Sequence, residues 1–225
     1  MESGWDTQHL LRLMLTSATW QQSSDITRQK LERDPENILL ARAPRLRLSG
    51  NLLRDQALTV SGLLVEKQGG PSVMPYQPAN LWEEASNARY SQDKGDALYR
   101  RSLYTYWKRT LAPPSMAILD TADREWCSVR PRETNTPLQA LTLLNETAFF
   151  ESARKLGERI LTEGGKTAED QIEFAFRSVA SRVPTAEESQ LLVDALSSYR
   201  AEYAGNPEHA TLTLSTGESP VSADL

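Results

Sequence analysis

Thr136-Pro137-Leu138-Gln139-Ala140-Leu141-Thr142-Leu143-Leu144-Asn145 is the stretch from which the fold of this chain is read. A hydroxyl residue followed by proline marks a helix start. The Thr oxygen can accept from an orphan amide of the first turn, and Pro has its φ already set and no N–H to lose. Leu138, Leu141, Leu144 and Ala148 then recur at three- and four-residue spacing, which predicts one face turned toward a core. Phe149, Ala153, Leu156 and Ile160 carry the period onward until Gly164-Gly165 stops it. Ile172, Ala175, Phe176 and Val179 repeat the helical spacing. Thr185-Ala186-Glu187-Glu188 is a capping box, in which hydroxyl and carboxylate each satisfy a first-turn amide. Leu191, Leu192, Ala195, Leu196, Tyr199 and Tyr203 form the stripe behind it, and Gly205 ends it. Short Gly/Pro turns between such helices predict an antiparallel array over 134–214.

Upstream, Asp6 can cap a helix reaching Gln22, with Leu10, Leu11, Met14 and Ala18 on one face. Asp34-Pro35 predicts the start of a short helix. Ser49 predicts a cap for Gly50 to Val65, with Leu52, Leu53, Ala57, Val60 and Leu64 as the apolar stripe. Residues 1–66 therefore read as helical. Residues 67–133 do not. Gly69-Gly70-Pro71 and the prolines at 75 and 78 break the pattern, and Asn80 to Ala85 holds one or two helical turns. Asp96 can cap a helix over 97–109, although the alternation from Leu98 to Tyr104 also suits a strand; helix is the preferred reading, ended by Pro113-Pro114. The fold class is mainly α: an antiparallel helical array around a long irregular, aromatic-rich middle, with at most a small β element. It reads as one domain over 1–214, and the Ser/Pro/Gly-rich 215–225 as a disordered tail.

Composition narrows the chemistry. The 225 residues carry 25 basic and 30 acidic groups, a net charge of −5, so a phosphate-tracking face for nucleic acid is not expected. No apolar run approaches the roughly 18 residues of a membrane span, and no Lys/Arg-led apolar run opens the sequence. One cysteine and two widely separated histidines, His9 and His209, cannot assemble the usual nitrogen–sulfur shells, so no metal or haem is expected on this chain itself. Cys127 stands near Arg124 and Arg130, which would lower its pKa on close approach, but with no His nearby it reads as a small buried hydrophobe. There is no nucleophile elbow and no phosphate loop. Asp120, Asp123 and Glu125 cluster after the Pro-Pro loop and can supply acid/base groups, though no spacing singles out a pair.

The middle segment is the chemically distinctive part. Half of the aromatic residues fall between Tyr76 and Arg132: Tyr76, Trp82, Tyr90, Tyr99, Tyr104, Tyr106, Trp107 and Trp126. From Asn87 to Arg132 basic side chains outnumber acidic ones, against the trend of the chain. Aromatic faces interleaved with guanidinium groups can hold an anionic or planar ligand through stacking, cation–π contact and charged hydrogen bonds. The candidate ligand-binding residues are Trp82, Arg100, Arg101, Tyr104, Trp107, Arg109 and Arg132. Most of them are expected near one another, with Arg101 or Arg132 bonded to a carboxylate or to loop carbonyls. The competing reading makes the same residues a core in which Arg stacks on aromatics and pairs with Asp96, Asp120 or Asp123.

These motifs also carry a resemblance. Leu98-Tyr99-Arg100-Arg101-Ser102-Leu103-Tyr104-Thr105, then Trp107-Lys108-Arg109-Thr110 and Pro113-Pro114, form one part; Arg132 with Thr134 to Asn145 forms a second. Gly69 to Val73 with Pro75-Tyr76-Gln77-Pro78 and Leu81-Trp82 forms a third. With Ser17-Ala18-Thr19-Trp20 and Asp34-Pro35-Glu36-Asn37 they resemble the planctomycete PSD-one domain, a domain of unknown function, in order from Gly4 to Pro220. The resemblance implies the C-terminal part of a large exported protein, extracytoplasmic, with a c-type cytochrome module in a missing N-terminal part. By that reading the chain is a fragment, its partner is the remainder of the full-length protein, and haem c belongs to that remainder. The resemblance supplies no catalytic residues.

Two functions from different classes follow. One is a non-catalytic structural or ligand-binding module of a cytochrome-c-associated protein. The other is part of an enzyme acting on polysaccharide or another anionic substrate through Arg100, Arg101, Arg109 and Arg132 with nearby carboxylates. Arg groups each paired to structural partners favour the first; a convergent pocket of Arg, Trp and a perturbed carboxylate favours the second.

Overall fold

The computed structural model describes residues 4–85, 89–122, 124, 125, 127, 129 and 132–222. Asp123, Trp126 and Arg130, named above, lie outside them. Ten α-helices and two short 3-10 turns make up the described secondary structure, so the chain is mainly α. β structure among these residues is limited to isolated bridges that pair Val65 with Arg100, Val73 with Thr105 and Lys108 with Leu111. The chain divides into two compact units, Met1–Arg47 and Leu48–Leu225.

In the first unit, helix α1 (Thr7–Leu15) starts at Asp6, whose carboxylate accepts from the amides of Gln8 and His9 at 2.9 and 3.2 Å. It stops well short of Gln22. The hydroxyls of Thr16 and Ser17 donate back to the Arg12 and Met14 carbonyls, at 2.8 and 2.7 Å, and compete with the next helical turn. Helix α2 (Arg28–Arg33) ends where a helix start was expected, at Asp34. The Asp34 carboxylate accepts from the amides of Ile38 and Leu39 at 2.9 and 2.8 Å. Arg42 donates to the carbonyls of Asp34 and Pro35, and Asn37 donates to that of Arg42. The result is a loop closed by its own polar groups. Asp34 and Arg42 are the buried members of this unit among the described residues, whereas Leu10, Leu11, Met14 and Trp20 remain exposed.

The second unit is built on helices α3 (Gly50–Ser61) and α7 (Thr147–Glu163), which pack against each other. Helix α3 ends at Gly62, whose φ of 76° suits a residue without a Cβ, three residues before the expected end. Its buried face is Gly50, Arg54, Leu58 and Ser61 in place of the apolar stripe, and Leu52 is left exposed. The reason is Arg54. Its guanidinium donates to the carbonyls of Leu98 and Arg100 at 2.7 and 2.9 Å and to Ser102 Oγ at 3.2 Å, while Asp55 accepts from the Ser102 amide at 2.7 Å. This clamp also explains why 97–109 is not a helix. The segment forms 3-10 turns at Gly95–Tyr99 and Ser102–Tyr104, because outside groups take its backbone bonds. Val65 N donates to Tyr99 O, Val73 N to Tyr104 O, and Tyr106 N to Val73 O. The core of the unit gathers on Leu58, Leu98 and Tyr99, with Leu63, Leu64, Val65 and Tyr76 packed against it.

Helix α4 (Leu81–Ala85) lies within the middle segment, and α5 (Pro114–Ile118) begins at the Pro-Pro pair. Helix α6 (Pro137–Asn145) starts at Thr136 as expected, with Gln139 completing a capping box. The apolar period suggests one helix through to Ile160, but Glu146 is extended (ψ 134°) and breaks it, closing α6 and capping α7. Helices α8 (Ala168–Ala180), α9 (Ala186–Gly205) and α10 (Pro207–Leu214) follow, each touching its neighbour in sequence. The Thr185–Glu188 capping box is present. Ser219, in the segment whose composition reads as disordered, is buried at 9% exposure and bonded to α7.

Candidate functional site

The Thr134–Asn145 stretch splits into an inward polar half and an outward apolar half. Gln139 is buried. Its amide nitrogen donates to Ile118 O at 2.8 Å, Thr134 Oγ1 at 2.9 Å and Asp120 Oδ2 at 3.0 Å. Asp120 Oδ2 also accepts from the amide and hydroxyl of Thr134, at 2.8 and 2.6 Å. Asp120 is thus a structural knot between the end of α5 and the start of α6. The leucines behave in the opposite way. Leu138 and Leu141 are each 55% exposed and Leu144 is 68% exposed, which overturns the expectation that they face a core. A helix tied down by its polar side has no need to bury its apolar one.

Leu138 and Leu141 line a cleft of about 380 Å³ with Ile118, Pro78, Pro114 and Tyr76. Thr142, Asn145, Ser115 and Glu146 add the polar groups of its wall. A mostly apolar hollow of that size with a few polar groups is the usual form of a small-ligand site. Behind it lies an enclosed polar cavity of about 10 Å³, which shares Tyr76, Ser115 and Glu146 as a wall and adds Arg54, Gln77, Tyr90 and Thr105. Gln77 Nε2 and Thr105 Oγ1 are buried there without a protein partner, and the space is about that of one water molecule.

Glu146 is the electrostatic feature of the wall. Its Oε2 accepts from the amides of Ala148 and Phe149 at 3.0 and 3.2 Å, the role of an N-cap. Burial pushes the carboxyl upward from its ordinary pKa, while the two amides and the Arg54 charge pull it back. Burial likewise lowers Arg54. The Tyr76 hydroxyl is pushed up to about 12, chiefly by burial, so it stays neutral and able to donate.

The seven residues picked from sequence fall into separate contacts. Arg100 is 5% exposed; it donates to the carbonyls of Lys67, Gly69 and Pro71 and lies 3.8 Å from the Tyr104 ring centre. The Tyr104 hydroxyl accepts from Gly69 N. Arg101 pairs with Asp55 at 3.8 Å, and the exposed Arg109 with Glu125 at 3.6 Å. Trp82 is buried against Tyr90 and Tyr106 with Lys108 over its ring. Trp107 lies under Arg124, and Arg132 is exposed. Of the carboxylate or loop-carbonyl partners expected of Arg101 or Arg132, Arg101 has the carboxylate, as an ion pair with Asp55, and the loop carbonyls are held by Arg100. Cys127 is exposed, not buried. Sequence reasoning missed Glu146 and Arg54; the one local sign of Glu146 is its place just before the apolar run that opens α7.

No group of three or more His, Cys, Asp or Glu among the described residues is placed to hold a metal ion, and no described helix is long and apolar enough to cross a membrane. Fold and site together define a mainly α protein with a half-open apolar cleft. A family model described as PSD1, a protein of unknown function (DUF1553), matches residues 1–196, and the chain belongs to that family. No curated protein and no solved structure matches the chain.

Proposed function

We propose that the chain is a non-catalytic binding module and that it meets its ligand at the α6 cleft. The observation that carries this reading is the inversion of α6, with Gln139 buried while Leu138 and Leu141 stand at the cleft wall. The ligand is an apolar group bearing a polar atom that faces Glu146, Thr142 or Asn145. The enzymatic alternative has weaker support. Arg100 is committed to three loop carbonyls, and Arg101 and Arg109 already have carboxylate partners. From the family resemblance we infer that the module belongs to an exported protein whose remainder carries a cytochrome-c-type domain, with haem held there.

Indole, a small apolar ring with one donor, is a suitable probe. Titrated into leucine-methyl-labelled protein, it is expected to shift the Leu138 and Leu141 methyl signals together and saturably. Shifts confined to the apolar hollow of the first unit, lined by Met14, Trp20 and Leu46, would overturn the assignment.

A further inference from the structure

Helix α7 carries two ionisable side chains that are almost wholly shielded from water, Glu151 at 0% and Arg154 at 8% exposure. Charges buried to that degree need hydrogen-bonding partners. A segment from the far end of the chain supplies many of them. Ser219 N donates to Glu151 Oε1 at 2.6 Å, and the Tyr99 hydroxyl donates to the same oxygen at 2.9 Å. Arg154 Nη2 donates to Ser219 O at 2.7 Å and to Ser219 Oγ. Glu218 N donates to the Tyr76 hydroxyl at 2.8 Å. Gly217 has φ 86°, and a Cβ at that position would overlap the Glu151 carboxyl. Recognition therefore rests on backbone amides, one carbonyl, one hydroxyl and the absence of one side chain. Glu151, Arg154, Tyr76 and Tyr99 fall within the residues matched by the family model, and 217–219 lie beyond them.

We propose that this cluster on α7 is a receptor site for a bent Gly-x-Ser segment, filled here in cis by 217–219 and open to another segment of the same chemistry. Two properties make exchange feasible. The occupant contributes no buried apolar side chain, and what is read of it is mostly main chain. Occupancy also bears on the α6 cleft, because Tyr76 both accepts from Glu218 N and lines that cleft.

The test uses the whole chain. Amide hydrogen exchange is followed at Ser219, and the peptide acetyl-Ser-Thr-Gly-Glu-Ser-Pro-amide is titrated into the Gly217→Ala variant. Ser219 is expected to exchange at least tenfold more slowly in the unaltered chain than in Gly217→Ala. The peptide is expected to bind the variant at least tenfold more tightly than the unaltered chain and to shift the Tyr76 ring signals. A peptide with Ala in place of Gly is expected not to bind. Should Gly217→Ala fail to fold, Ser219→Ala, which adds no atom, takes its place with the same expectations. An unprotected Ser219 amide in the unaltered chain would overturn the proposal. So would protection without any binding of the peptide, which would mark a fixed tail.

Discussion

Gln139 Nε2 lies 3.0 Å from Asp120 Oδ2, and this bond fastens the first turn of α6 to the turn that follows α5. Asp120 is held at φ 58°, a left-handed conformation that suits a short polar side chain. Replacing Gln139 by Leu removes the donor to three acceptors at once and leaves the part-buried Ile118 carbonyl bond unmade. Its expected cost is about 2–3 kcal/mol, read as a lower urea midpoint with unchanged slope.

Arg54 and Arg101 separate structural from surface guanidinium groups. Arg54→Met leaves the Leu98 and Arg100 carbonyls without their donor in the core and is expected to cost roughly 3–5 kcal/mol. Arg101→Met breaks a 3.8 Å pair at an exposed guanidinium and is expected to change stability by no more than about 0.5 kcal/mol. Thermal unfolding of the two variants side by side checks the contrast.

Leucine truncations divide in the same way. Leu58 and Leu98 are each 1% exposed, so replacing either by Ala is expected to cost about 2–5 kcal/mol. Leu141 is 55% exposed, and Leu141→Ala is expected to cost under about 1 kcal/mol. A large loss at Leu141 in denaturant unfolding would mean that α6 faces a core after all.

Two carboxylates set opposite pH trends. The Arg182 guanidinium and the Thr185 amide hold exposed Glu188 down at about 2, so its contribution is present above its unfolded pKa of 4.5 and is lost as pH falls toward 2. Glu146 is raised by burial, so it favours the protonated folded state, and its contribution is lost as pH rises above the ordinary carboxyl range. Glu146→Gln keeps an oxygen for the α7 cap and is expected to flatten that decline; Glu188→Gln is expected to flatten the acid limb. Urea midpoints measured across pH 2–8 give both slopes.

Local signals were legible and distant partners were not. Thr136-Pro137 and Thr185 with Glu188 announced helix starts because every atom of a cap lies within a few residues. The buried face of α3 was unreadable because Arg54 is placed there by carbonyls 44 and 46 residues onward. Helix α6 misled for a related reason: its leucines have a core-like period, but Asp120 and Ile118, across the turn, decide which side is buried. The Asp34–Arg42 loop looked like a helix start because Asp-Pro is one locally, and only the reach of Arg42 back to Pro35 shows the turn. The Arg/aromatic middle stands out in composition alone. Its guanidinium groups mostly meet carbonyls and carboxylates of the fold, and the cleft we propose as the site lies one helix further on.

The division of labour between Arg100 and the α6 cleft is tested most directly by measuring thermal stability and indole affinity together in Arg100→Lys and Leu141→Asp. Arg100→Lys loses the guanidinium that spans Lys67, Gly69 and Pro71, so the expected result is a lower melting temperature with indole binding retained. Leu141→Asp places a charge on the cleft wall, so the expected result is a nearly unchanged melting temperature with indole binding lost. The reverse pattern, stable Arg100→Lys protein that no longer binds and Leu141→Asp protein that still does, would contradict it.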